Sequence, residues 1–187
     1  MRALRAVPPI TDVDDVTLAR AQRGDAAAFR TLVTFYQQPI FAFLWRMLGA
    51  RADKPLVEDL AQDTFLRVYR GLARFQRTGP ATLKTWLLTI ATRVALNELR
   101  RNRPATTPLD ARARVVTVPR EDVALALAVR EALETLTPDH RAVVVLREYH
   151  DLDYAEIASV LAIDVGTVRS RLSRAREALR AVLTEES

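Results

Sequence analysis

The sequence predicts an all-α protein of two small helical domains joined by a flexible linker. Three observations carry that expectation. Glycine is scarce, five residues in 187, and no run of alternating apolar and polar residues marks a strand. Helix start and stop signals recur along the chain. Between two helical stretches lies segment 104–121, with Pro104, Pro108 and Pro119 and no helical stripe. A structureless stretch of that length joins domains more readily than it sits inside one.

The elements follow from local chemistry. Residues 1–15, with Pro8 and Pro9, read as a tail. A short helix is expected over Val16 to Arg23, stopped by Gly24. Asp25 can cap the next helix by accepting backbone N–H bonds. That helix should run to Leu48, with Pro39 as a kink or break, and end at Gly49. Its positions Phe29, Leu32, Val33, Tyr36, Ile40, Phe43, Leu44 and Met47 follow a three/four spacing that buries one face. A third helix is expected over Pro55 to Phe75, apolar along Leu56, Leu60, Phe65, Val68, Tyr69 and Leu72. Gly79 and Pro80 break the chain, and Thr82 caps a fourth helix reaching Asn102. The first domain therefore spans 16–103, and 122–187 forms the second. There, one helix is expected over Val123 to Leu136. Thr137 and Pro138 pair a capping hydroxyl with proline at the first helical position and open a helix to Tyr149. Asp153 and Glu156 have capping-box spacing for a helix ending near Leu161. Asp164 can cap a last helix over Val165 to Leu183.

Composition narrows the function. Lys plus Arg number 28 against 23 Asp plus Glu, a net charge of +5, and the isoelectric point is about 10.2. A basic chain favours polyanions, and nearly all its cations are Arg, whose planar fork fits phosphates and guanine edges. The absence of cysteine excludes disulfides, thiol catalysis and Cys-type zinc sites. The N-terminus lacks the apolar stretch of a signal peptide. The longest apolar run, Val123 to Val129, falls far short of the roughly 20 residues that span a bilayer. No membrane insertion is expected, and the cytoplasm is the expected location.

Residues 154–180 carry the clearest motif. A short helix, a tight turn and a second helix make a helix-turn-helix. Ala158 sits where the helices cross, and Ile157, Val160, Leu161, Val168 and Leu172 can form the small shared core. Ala162 holds the turn position that often favours Gly for a left-handed conformation. On the second helix Arg169, Ser170, Ser173 and Arg174 share one face by three/four spacing, while Arg171, Arg176 and Arg180 widen the basic surface. Such a helix suits a major groove. Arg169 and Arg174 are expected to read bases, and Arg171 and Arg176 to hold phosphates from the flanks. The fourth helix is also basic, with Lys84, Arg93, Arg100, Arg101 and Arg103 against Glu98 alone. Trp86 near its start reads on its own as a core residue. Glu58, Asp59 and Asp63 cluster on the third helix, but no nearby His supports a metal site, and a solvated face is the plain reading.

DLDYAEIASVLAIDVGTVRSRLSRAREALR, with TLTPDHRAVVVLREYHDLDY upstream, resembles region 4 of extracytoplasmic-function (ECF) sigma factors, members of the sigma-70 family. VEDLAQDTFLRVYRGLARF resembles that family's region 2 core-binding helix, and LKTWLLTIATRVALNELRRNR the helix that follows it. The matches, in the correct order, cover nearly the whole chain. The resemblance implies a helical bundle for 16–103, a helix-turn-helix for 122–187, and a factor that brings core RNA polymerase to promoters. It implies contacts with the polymerase clamp and flap and with promoter DNA, and it leaves room for an anti-sigma factor. It assigns core binding to Asp59, Leu60, Gln62, Asp63 and Phe65. It assigns the −35 element to Arg169, Ser170, Arg171, Ser173, Arg174 and Arg176. For the −10 element and strand opening the candidates are Phe75, Arg77, Thr78, Thr82, Lys84, Trp86, Arg93, Arg100 and Arg101. Arg93, where many members have Asn, and Thr89, where many have Arg, depart from the pattern. The surface thus keeps its role without a particular −10 sequence.

Two other classes compete. An enzyme would need convergent groups with tuned protonation. His140 and His150 are the only histidines, ten residues apart, with no P-loop, dinucleotide turn or nucleophile elbow. No catalytic residue, cofactor or metal is expected. A stand-alone helix-turn-helix regulator is the alternative, and the core-binding resemblance argues against it.

Overall fold

The computed structural model describes residues 13–77, 82–101 and 129–185. The tail before Val13, Thr78 and its neighbours to 81, and the interdomain segment 102–128 lie outside them. Among the described residues there are helices and turns but no strand. α1 (Asp15–Gln22) is capped by Asp14, whose carboxylate accepts from Thr17 N–H. Gly24, at φ 87°, supplies the left-handed turn. Asp25 caps α2 (Ala26–Leu48) by accepting from Ala27 and Ala28 N–H at 2.9 and 3.1 Å. These bonds favour the ionised form and hold its carboxyl below the usual range.

Pro39 removes one backbone donor from α2, yet the helix continues through it. Tyr36, Ile40, Phe43, Leu44, Met47 and Leu48 are all buried, and packing on that scale outweighs one missing bond. After a 3₁₀ turn, Gly49–Arg51, Asp53 caps α3 (Lys54–Leu72). The buried stripe of α3 runs through Val57, Thr64, Val68 and Leu72. That corrects the expected apolar side, because Leu60 and Phe65 are only partly covered and Tyr69 is 56% exposed. α4 (Leu83–Arg100) starts at Thr82, whose hydroxyl accepts from Thr85 N–H at 3.1 Å. Gln22 ties α1 to the end of α3 by donating to the carbonyls of Leu72 and Phe75.

The second domain begins, among the described residues, with α5, helical over 129–134. Thr137 caps α6 (Pro138–Val144), which runs on as a wider π turn over Val145–Tyr149. Asp153 and Glu156 form the reciprocal capping box of α7 (Tyr154–Leu161), both bonds 2.8 Å. Ala162 then takes the left-handed conformation at φ 53°, as its turn position suggested. α8 (Val165–Glu185) crosses α6 and α7 through Ile157, Ala158, Val160, Val168 and Leu172, all buried.

The two domains dock. α4 packs on α7, and the end of α2 packs on α6, so one apolar core runs through both. Arg141 is only 7% exposed and donates to four carbonyls. Leu133, Glu134 and Leu136 accept from it at the end of α5, and Met47 at the end of α2 accepts at 2.9 Å. Helix C-termini carry partial negative charge, so a guanidinium suits this junction. Burial still pulls its pKa below the ordinary arginine value. Arg46 of α2 lies 4.0 Å over the Tyr149 ring. His150 meets the Phe43 ring edge-on at 5.4 Å.

His150 is 3% exposed, and neither ring nitrogen has a hydrogen-bond partner among the described residues. Burial, with Lys84 and Arg46 close by, pushes the imidazole down to about 3. An unfolded chain takes up that proton near pH 6.5, whereas the folded chain stays neutral until near pH 3. Stability contributed by the neutral ring is therefore fully present above pH 6.5. It falls as pH drops toward 3, by up to about 1.4 kcal/mol per unit. Urea denaturation from pH 7 to 4 should show a steeper loss for the native chain than for His150→Phe. Parallel pH profiles would disprove a neutral buried ring.

Candidate nucleic-acid and partner interfaces

Three surfaces emerge. The first is the outward face of α8. Val168, Leu172 and Ala175 form the buried stripe. Arg169, Ser170, Ser173 and Arg174 are all exposed on the other side, as the three/four spacing requires. Two long cations and two short hydroxyls leave a face that can enter a groove without obstruction. Glu177 and Arg180 are exposed further along α8.

The flanks differ from the phosphate-holding expectation. Arg171 pairs with Asp139 at 3.3 Å, and Arg176 with Glu148 at 2.8 Å. The hydrogen bond that Arg176 donates to Glu148 raises the arginine's pKa. Sequence spacing explains the difference. Arg171 is three residues after Val168 and Arg176 four after Leu172, so both border the buried stripe. They fasten α8 to α6 and the π turn.

The second surface surrounds the start of α4. Its eight described candidates do not meet at one point. Phe75 is 8% exposed, its ring centroid 4.9 Å from that of half-buried Trp86. Gly71 makes room for the indole, since a Cβ there would lie 3.0 Å from it. This pair packs the bundle rather than offering an open stacking platform. Arg77 donates to Asp15 and to the Val13 carbonyl. Lys84 donates to the His150 carbonyl across the domain boundary. Thr82 is exposed, with its hydroxyl engaged in the cap. Arg93 and Arg100 are exposed seven residues apart on α4, and exposed Arg101 pairs with Glu98 at 3.3 Å. Thr78 lies outside the described residues. An open cleft of about 340 Å³ between α1 and the turn after α3 is lined by Leu18, Gln22, Phe75 and Arg77, among others. Sequence reasoning missed the α1 side of this cleft, because nothing local predicts which helix the turn will meet.

The third surface is an open groove of about 440 Å³ between α2 and α3. Val33, Gln37 and Phe41 line it from α2, and Glu58, Gln62 and Phe65 from α3. Phe29 and Tyr69 extend the same seam by an edge contact at 5.0 Å. Of the five core-binding candidates, Gln62 and Phe65 line the groove. Leu60 and Asp63 lie on the opposite flank of the α3 stripe by helical spacing, and Asp59 is exposed. Asp63 holds Arg67 at 3.0 Å, which raises the arginine's pKa. The α2 half of the groove was missed. Its signal was the three/four recurrence of Phe29, Val33, Gln37 and Phe41, one step off the buried stripe.

An all-helical DNA-binding class, with a helix-turn-helix on one domain and a partner groove on the other, is what this geometry defines. The comparisons narrow the class. The model of sigma-70 region 2 matches residues 32–105, and that of sigma-70 region 4 matches 126–179. The chain is 34% identical over 181 residues to the RNA polymerase sigma-H factor of Pseudomonas aeruginosa, covering 89% of this chain and 91% of that one. It is 35% identical over 182 residues to the ECF RNA polymerase sigma-E factor of Escherichia coli, covering 89% and 92%. Among solved structures it is similar to CnrH in complex with the cytosolic domain of CnrY. That match has a TM-score of 0.70 at 28% identity, over 94% of this chain and 100% of the other. The chain belongs to the sigma-70 family, within its ECF sigma factors. It is thus a factor that joins core RNA polymerase and directs it to promoters.

Proposed function

We propose that the three surfaces divide the work of initiation. The α2–α3 groove and the adjoining face of α3 dock on core polymerase. The exposed face of α8 reads the −35 element. The solvent side of α4, with Arg93 and Arg100, meets the −10 element as the strands open. On this reading residues 16–103 and 122–187 are the two recognition units, and 104–121 tethers them. Chemistry stays with the polymerase, and the chain supplies no catalytic group or cofactor. No helix among the described residues is long and apolar enough to cross a membrane, and the reading places the factor in the cytoplasm with its polymerase. CnrH was solved with a piece of another protein, which supports an anti-sigma factor as a further partner for this chain.

One observation carries the assignment. A groove with apolar anchors and polar rims lies on one domain, while an unobstructed arginine face lies on the other. Anchors with a polar rim suit a protein partner. Gln62→Arg and Asp63→Arg are each expected to lower affinity for core polymerase about tenfold or more, equivalent to about 1.4 kcal/mol. Both positions are at least partly exposed, and loss of the surface Asp63–Arg67 pair costs little stability. Binding of fluorescently labelled factor to core, with circular dichroism for folding, checks this. Folded variants that both bind as the native chain does would remove the assignment. Failure of the native chain to confer promoter-specific transcripts on core enzyme would remove the whole division of work.

A further inference from the structure

The arginines of the recognition face and its flanks fall into two sets. Arg169 and Arg174 are exposed and have no ion-pair partner among the described residues. Arg171 and Arg176 are each met by a carboxylate from another element, Asp139 of α6 and Glu148 of the π turn. The two pairs differ. Arg176 and Glu148 meet at 2.8 Å, and the Glu148 side chain is 25% exposed. Arg171 and Asp139 meet at 3.3 Å, and the Asp139 side chain is 50% exposed. The second pair is the longer, and its carboxylate keeps water beside it when the arginine leaves.

Arg171 follows Ser170 directly and borders the buried stripe, so its side chain leaves α8 at the edge of the face that enters a groove. A duplex seated on that face brings its phosphate backbones along those edges. The guanidinium fork takes a carboxylate or a phosphate in the same way. Asp139 therefore occupies Arg171 as a phosphate would. It cannot follow the arginine onto DNA, because it is fixed in the first turn of α6 behind Pro138 and the Thr137 cap. Magnitudes give the direction of the exchange. An exposed ion pair changes an equilibrium by a factor of about one to five. A phosphate contact also releases counterions from the duplex. The phosphate wins, and the broken carboxylate pair subtracts from the gain.

We infer that Asp139 is a brake on the phosphate grip of α8: it holds Arg171 in the free helix-turn-helix and yields it to a DNA phosphate at a loss of affinity. The inference rests on the −35 reading of α8 above. A phosphate carries no sequence, so the loss is the same on every duplex. Its effect on promoter choice runs through occupancy. Phosphate contacts bind any DNA. With one of them weakened, duplexes that lack the bases read by Arg169 and Arg174 are the first to go unoccupied. Glu148 does not share this role, since its shorter and more covered pair keeps Arg176 in the packing of α8.

Asp139→Asn removes the charge and keeps the shape. Holoenzyme carrying it should bind promoter duplexes about threefold more tightly than native holoenzyme. The gain should be equal for native and substituted −35 elements, and the salt slope should stay as it was. Asp139→Glu keeps the charge and should bind as the native chain does. Beside Arg171→Ala, Asp139→Asn should add nothing, because the cation it frees is gone. Circular dichroism checks folding, since a carboxylate in a first helical turn favours the helix. If Asp139→Asn loses helix, Asp139→Gln takes its place. Unchanged affinity in the folded variant overturns the brake. So does a gain that persists beside Arg171→Ala, which would mean that the carboxylate merely repels DNA. A salt slope about one unit steeper than native overturns it as well, since Arg171 would then stay with Asp139 on DNA. If native holoenzyme shows no −35 preference, the −35 reading fails and takes the brake with it. A preference that stands, with no gain from Asp139→Asn, removes the brake alone.

Discussion

Arg141→Leu is expected to cost the fold about 3–5 kcal/mol, a loss large enough to unfold many domains of this size. The side chain donates to four carbonyls belonging to the ends of two helices. Leucine fills much of the space but donates nothing. The carbonyls it deserts lie beside helix termini, where they carry the negative end of a dipole, and three of the four bonds are buried. An unsatisfied buried acceptor costs about 1–3 kcal/mol. The sum over four is reduced because a carbonyl oxygen has a second lone pair to use. Arg141→Lys should rescue little, since a single ammonium cannot span positions that the guanidinium fork reaches together. Urea denaturation measures the effect, and near-native midpoints for both variants would contradict it. The same experiment separates fold from docking. Three of the four acceptors lie within the second domain, so that domain loses most of the stability. The contact with Met47 then disappears as a consequence.

Much of the helical architecture was legible because capping is local. Asp25, Thr82, Thr137 and Asp153 each bond a backbone N–H within three residues of themselves, so their neighbours in sequence suffice to mark the helix starts. The left-handed turn at Ala162 was legible for the same reason. The recognition face was legible because α8 is amphipathic, and one buried stripe determines which positions face outward. Local reasoning stops where partners are distant in sequence. Arg141 and His150 have the composition of surface residues. Their burial depends on Met47 and Phe43, which lie on another domain. One hint was present. From Ile40 to Leu48, α2 is apolar on nearly every side, and a helix of that kind is covered on more than one face. Its second cover is α6 and the π turn, which no spacing within α2 could identify. The α2 side of the partner groove escaped for a related reason: Val33 read as ordinary core and Phe41 carried no assignment until α3 is placed beside them.

Arg169→Ala and Arg174→Ala are each expected to lose about 1–3 kcal/mol of promoter binding and to relax base choice at one position of the −35 element. Both guanidiniums leave the exposed face of α8, with Ser170 and Ser173 between them. A bidentate arginine fits guanine O6 and N7, and alanine leaves those acceptors without the protein donor. Arg171 and Arg176 should behave differently from each other and from this pair. Arg176 is held by Glu148 at 2.8 Å and is only partly exposed. Arg176→Ala should therefore act through the packing of α8, lowering stability by about 1–2 kcal/mol, with base preference unchanged. Arg171 pairs with half-exposed Asp139 at 3.3 Å, and a pair this open adds little stability. Arg171→Ala should leave folding near native. If its guanidinium leaves Asp139 for a phosphate when DNA arrives, the variant weakens all sequences alike and lowers the salt slope by about one unit. A −35 base-substitution series, read with holoenzymes carrying each variant at several salt concentrations, distinguishes these outcomes. Unchanged base preference in both Arg169→Ala and Arg174→Ala would move sequence reading off this face of α8, whatever happened to overall activity.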